Sequence, residues 1–117
     1  MTGFTWNTRL GSALLVAFAA VVVSPPVLAI DVEAAQMLAR QSSCFKCHSV
    51  DKKKDGPPYR EVAAKYRGRA DAEVKLFRHV TAGAMVKFRD GSEDNHKVIE
   101  TKDEAEIKNL IGWILSL

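Results

Sequence analysis

From Leu10 to Val23 the chain is an unbroken run of small and apolar residues, with Ser12 its one polar interruption. Ser24, Pro25 and Pro26 end the run, and Val27-Leu28-Ala29 follows. Beyond Ala29 the pattern changes character. Val32, Ala35, Met37, Leu38 and Gln41 fall near helical spacing, and Asp31 is placed to cap a helix running to about Ser43. Residues 49–58 hold Asp51, three lysines, Asp55, Gly56 and two prolines, which reads as a loop. A short helix fits Pro58 to about Arg67, with Val62, Ala63 and Tyr66 on one face and Gly68 as its stop. Another fits Ala70 to Ala82, with Val74, Phe77, Val80 and Thr81 facing inward and Gly83 ending it. Residues 84–100 show no period and read as a long loop, a length that is usually functional in a small domain. Thr101-x-x-Glu104 has the form of a capping box. It opens a last helix striped by Ile107, Leu110, Ile111, Ile114 and Leu115, with Trp113 beside the stripe. No segment alternates clearly enough to predict a strand.

The opening segment reads as an address. It carries one base, Arg9, and no acid. With its short apolar run and small residues before a cleavage point after Ala29, it has the form of a secretory signal peptide. The run of 14 residues is short of the roughly 20 needed to span a bilayer. Residues 1–29 are therefore assigned to targeting and 30–117 to one domain, with no permanent membrane anchor expected after cleavage. Export implies the periplasm.

Removing the first 29 of 117 residues leaves 88, with 16 bases and 14 acids. A domain of that size has a thin core and commonly needs a disulfide, metal or cofactor as a staple. The charge is segregated. Residues 40–89 hold 13 bases and 5 acids, and residues 90–117 hold 3 bases and 7 acids. The modest net balance does not suggest a nucleic-acid binder, which usually shows a concentrated basic face. It suits a surface that steers an acidic partner.

Two cysteines are too few for a disulfide scaffold, but their placement is specific. Cys44-Phe45-Lys46-Cys47-His48 is the C-x-x-C-H pattern of c-type haem attachment. Two cysteines three apart at a helix end can reach the two vinyl groups of one porphyrin edge. The next residue then lies under the macrocycle, where the His48 imidazole can reach the iron. A thioredoxin-type dithiol needs a βαβ pattern that is missing here. A structural zinc site usually pairs two knuckles, and one is present. A disulfide across so small a loop stabilises little.

The mature chain resembles the small monohaem class I cytochromes c of bacteria. The resemblance rests on the CxxCH closing the first helix and on Gly56-Pro57-Pro58-Tyr59 after a lysine-rich loop. It extends through Val62 to Tyr66, Ala72 to Gly83, and a last helix ending Gly112-Trp113-Ile114-Leu115-Ser116-Leu117. It implies an all-α fold of four to five short helices around one covalent haem c. It further implies that the Pro57 carbonyl orients His48 and that Phe88 contacts the haem. Tyr59, Val62, Tyr66, Phe77 and Val80 are expected to line the pocket, and Trp113 to sit in the core where the first and last helices cross.

The sequence departs from the family at the sixth ligand. The family places a methionine in the loop before the last helix, and this loop lacks one there. His96 falls near the expected position. Met85, early in the loop, and Lys97 are the alternatives, and Lys97 would have to lose its proton to bind iron. His79 reads as structural or exposed. Bis-histidine ligation would lower the potential relative to a His/Met site. The expected function is single-electron shuttling between a redox enzyme and the respiratory chain. Partners would dock transiently on a surface ringed by Lys46 and Lys52 to Lys54. The other class is a haem sensor or peroxidase-like protein with a labile sixth ligand.

Overall fold

The computed structural model describes residues 1–3, 20–24 and 28–117. Most of the segment read as a signal peptide lies outside the described residues. No helix among the described residues is long and apolar enough to cross a membrane.

Helix α1 spans Val32–Gln41. Asp31 is its N-cap, with extended backbone and a side chain accepting from the Ala34 N–H at 2.9 Å. Glu33 in the first turn and Arg40 in the last complement the helix dipole. The buried stripe is Ala35, Leu38 and Ala39. Two alanines on that stripe let α1 approach its neighbour closely, and Val32 and Met37, at the same spacing in the sequence, are exposed.

That neighbour is α4, Glu104–Leu115, which buries Ile107, Leu110, Ile111, Trp113 and Ile114. Its cap differs from the expected Thr101 box. Asp103 is the N-cap and accepts from the N–H groups of Ala105 at 2.8 Å and Glu106 at 3.4 Å. The Thr101 hydroxyl accepts from the Asp103 N–H at 3.1 Å, so it orders the cap rather than forming it. An aspartate binds the first turn's donors as well as a threonine does and sits two residues nearer the apolar stripe. Asn109 ties the start of α1 to α4 by accepting from the Asp31 N–H and donating to the Asp31 carbonyl, both at 2.8 Å.

Helices α2, Tyr59–Tyr66, and α3, Ala72–Ala82, also pack on α4. Helix α3 is rotated from the expected face: Ala72 and Leu76 are buried, while Val74 is 71% exposed. Gly83 ends α3 in the left-handed region, φ 62°, which a glycine enters without a Cβ penalty.

The segment 84–100 corrects the sequence reading. It holds a two-stranded antiparallel hairpin, β1 Met85–Lys87 and β2 Glu93–Asn95, with Met85 opposite Asn95, Val86 opposite Asp94 and Lys87 opposite Glu93. Three-residue strands whose side chains are mostly exposed carry no hydrophobic alternation. The Asp90-Gly91 dipeptide is the turn signal that could have found them. The fold is otherwise helical, as expected.

Candidate functional site

Cys44 stands three residues after the end of α1. Ser42 closes the helix and is buried, and Ser43 then takes a left-handed conformation, φ 60° and ψ 23°. That reversal starts a 3₁₀ turn over Cys44–Lys46. The Cys44 carbonyl accepts from the N–H of Cys47 at 3.2 Å and of His48 at 2.9 Å, so the motif is wound into one tight turn. The following loop is clasped back onto it. Gly56 N–H donates to Cys47 at 2.7 Å, Tyr59 N–H to Ser49 at 2.9 Å and Arg60 N–H to Val50 at 3.1 Å.

This clasp fixes His48. Its Nδ1 lies 2.8 Å from the Pro57 carbonyl, so Nδ1 carries the proton and donates, leaving Nε2 as the bare nitrogen. The Tyr59 ring stacks on the imidazole at 5.2 Å with 18° between planes. Trp113 meets Tyr59 edge-on at 5.7 Å and backs it from α4. Gly56 closes the remaining side: a Cβ there would come within 2.5 Å of His48 Cε1 and 2.7 Å of Nδ1. The Gly-Pro-Pro run thus supplies a close approach, a carbonyl acceptor and a helix start from adjacent residues. Burial pushes the Cys44 thiol up, with the Tyr59 hydroxyl pulling the other way. Burial also pushes Tyr59 up, so it stays a neutral phenol.

A cavity of about 580 Å³ opens beside this turn. Cys44, Cys47, His48, Pro57 and Tyr59 line one side, with Val62 and Tyr66 from α2 continuing the wall. Val86, Phe88, Asn95, His96 and Lys97 line the opposite side, and Leu110, Ile111 and Ile114 of α4 form part of the apolar wall. Phe77 does not line it. It faces a separate small cleft with Thr81 and Ile107, because the rotation of α3 turns Leu76, His79 and Val80 inward instead.

The three candidates for the sixth position separate in space. His96 lines the cavity with its ring centroid 6.0 Å from that of His48. Met85 is 64% exposed and is not on the cavity wall, because β1 turns it outward. Lys97 reaches the wall, but its ammonium pairs with Glu100 at 3.5 Å in an exposed position. The His96 N–H donates to the Ala84 carbonyl at 2.8 Å, and the Ile99 N–H to Val80 at 2.9 Å, which hang this segment from the end of α3. Burial lowers the His96 pKa to about 4, helped by His79 and His48. Among the described residues, His96 Nδ1 is buried without a hydrogen-bond partner. His79, read from sequence as structural or exposed, proves to be half-buried on the cavity wall with its ring 4.1 Å from His96.

A long apolar cavity, two thiols on its edge and two facing imidazoles suit a covalently held haem. The orphaned His96 nitrogen and the glycine pressed on His48 fit the same group. Residues 32–117 match the cytochrome c family model. This chain belongs to the cytochrome c family. Cytochrome c-551 of Allochromatium vinosum is 40% identical over 101 residues, covering 86% of this chain and 99% of the relative. Cytochrome c-552 of Hydrogenobacter thermophilus is 39% identical, covering 70% and 80%. Among solved structures, the class 1 cytochrome MtoD of Sideroxydans lithotrophicus is 61% identical with a TM-score of 0.72, covering 75% of this chain and 97% of that one. Cytochrome c552 of Nitrosomonas europaea is 30% identical with a TM-score of 0.57, covering 70% and 98%. The protein is thus a small monohaem class I c-type cytochrome that binds covalent haem c. As a cytochrome c it is an electron carrier that meets redox partners, and it is not an enzyme.

Proposed function

We propose that this cytochrome is exported to the periplasm with loss of residues 1–29 and shuttles single electrons between a redox enzyme and the respiratory chain. In this reading Cys44 and Cys47 would hold the haem through thioethers, and His48 and His96 would bind its iron. When bound, the haem supplies a one-electron iron couple. The separation of the His48 and His96 rings carries the axial assignment. The two rings lie 6.0 Å apart, a gap that would admit one metal ion held by both imidazoles through bonds of about 2 Å. Neither Met85 nor Lys97 is so placed.

The chain's own residues divide the remaining work. Pro57 fixes the His48 tautomer and strengthens it as a donor. Tyr59, Val62, Tyr66 and Phe88 exclude water from the cavity. Lys46, Lys52 and Lys53 are exposed beside the motif, while Lys54 folds back to donate to the Phe45 carbonyl at 2.6 Å. This basic rim suits brief, salt-sensitive docking with an acidic partner.

Mass spectrometry of the exported protein tests the processing and attachment: an N-terminus at Ile30 and one covalent haem are expected. An intact leader or a haem-free chain would overturn the reading. Charge reversal at Lys46, Lys52 and Lys53 is expected to slow association with an acidic redox partner about tenfold at low salt, with the haem potential unchanged. Rates indifferent to both the charges and the salt would remove the docking role.

A further inference from the structure

His96 is read above as an axial ligand, and the argument that follows rests on that reading. A ligating imidazole uses one nitrogen for the metal and needs a partner for the N–H on the other. His48 has such a partner in Pro57. Nδ1 of His96 is buried and has none. The group nearest to it in character is another histidine. His79 stands on the last turn of α3, half-buried, with its ring 4.1 Å from the His96 ring and tilted by 50°. Two backbone hydrogen bonds hold that spacing, from His96 N–H to Ala84 and from Ile99 N–H to Val80, on either side of the pair. A neutral imidazole offers one bare nitrogen as an acceptor.

We propose that His79 is the positioning residue of the distal ligand, accepting a hydrogen bond from the His96 ring. It does for His96 what the Pro57 carbonyl does for His48. The bond sets the His96 tautomer, strengthens it as a donor and favours oxidised iron. The main-chain carbonyl of Lys97 is the competing acceptor, since the Lys97 backbone borders the same ring.

The test uses the mature holoprotein. His79→Leu removes the acceptor, and His79→Gln keeps one. In H79L the low-spin spectrum persists, the potential rises, and added imidazole displaces His96 about ten times more readily or better, the usual scale for a lost partner of a metal ligand. H79Q stays close to the wild type in both. H79L with an unchanged potential and unchanged displacement overturns the proposal. So does H79Q behaving like H79L. If H79L does not mature, the reduced wild type labelled with ¹⁵N-histidine answers the question. Coupling from the His96 N–H across to a His79 nitrogen is expected, and an N–H bonded to a carbonyl instead sinks the idea. The ligand reading fails separately: in that case His96→Leu keeps the wild-type low-spin spectrum.

Discussion

The two walls of the cavity are built in opposite ways. The near wall, Cys44 to Tyr59, is wound into a turn, clasped by three backbone hydrogen bonds and backed by Tyr59 and Trp113 from the core. Its histidine is held on three sides, by a carbonyl, a stacked ring and a glycine. The far wall, Met85 to Lys97, is a short exposed hairpin hung from the end of α3. Its histidine is placed by its backbone, and the free nitrogen of its ring has no partner. The near wall is preorganised for attachment. On the proposed ligation, the far wall supplies His96 where the family's usual methionine would stand, so attachment of the cofactor and tuning of its potential fall to different parts of the chain.

If that division holds, damage to the near wall abolishes the holoprotein, and damage to the far wall changes its properties. The largest effect is expected for Cys44→Ala with Cys47→Ala. Covalent haem disappears from a pyridine haemochrome assay, and the small domain loses the staple that its thin core needs. A folded, haem-loaded double variant would show that attachment is not what organises the near wall. Leu110→Ala comes next. Its side chain, on α4, is almost completely buried at the cavity wall, and its loss costs about 2–5 kcal/mol in denaturant unfolding. Gly56→Ala follows at about 1–3 kcal/mol, because a Cβ must push into the His48 ring. It should also shift the haem spectrum. On the far wall, Met85→Ala is expected to stay within about 0.5 kcal/mol and to leave the spectrum untouched, as for an exposed residue. A spectral change in M85A would restore Met85 as a ligand.

A control away from both walls gives the smallest effect. Asp71 is held well below the usual carboxylate range by Arg69, at 3.1 Å, and Lys75, at 2.8 Å. A depressed carboxylate stabilises the fold above its unfolded value of about 3.9 and loses that contribution as pH falls below it. Thermal unfolding of Asp71→Asn should therefore show a slight loss at pH 7 that vanishes in acid. A loss that persists in acid would point to a capping role instead.

The same contrast explains what could be read from the chain. The near wall was legible because its chemistry is local: C-x-x-C-H and Gly-Pro-Pro each specify a turn through adjacent residues. Helices α1 and α4 were legible because their buried stripes run at helical spacing, although Asp103 took the cap from Thr101. The face of α3 was misjudged because Val74 and Leu76 are two residues apart and apolar, and packing on α4 decides which is buried. The hairpin was missed because Glu93, Asp94 and Asn95 pair through backbone alone. His79 could not be recognised because its neighbour, His96, is seventeen positions on and is brought beside it by the backbone bonds from Ala84 and Val80.

The proposed site pairs His48 with His96 as the two imidazoles that would bind the haem iron. The electronic spectrum of the oxidised protein, recorded for the wild type and for His96→Leu, tests it most directly. The prediction is a low-spin wild type without the far-red sulfur-to-iron charge-transfer band, converted to a high-spin form that binds added imidazole in H96L. A sulfur-to-iron band in the wild type, or an H96L spectrum identical to it, would contradict the claim.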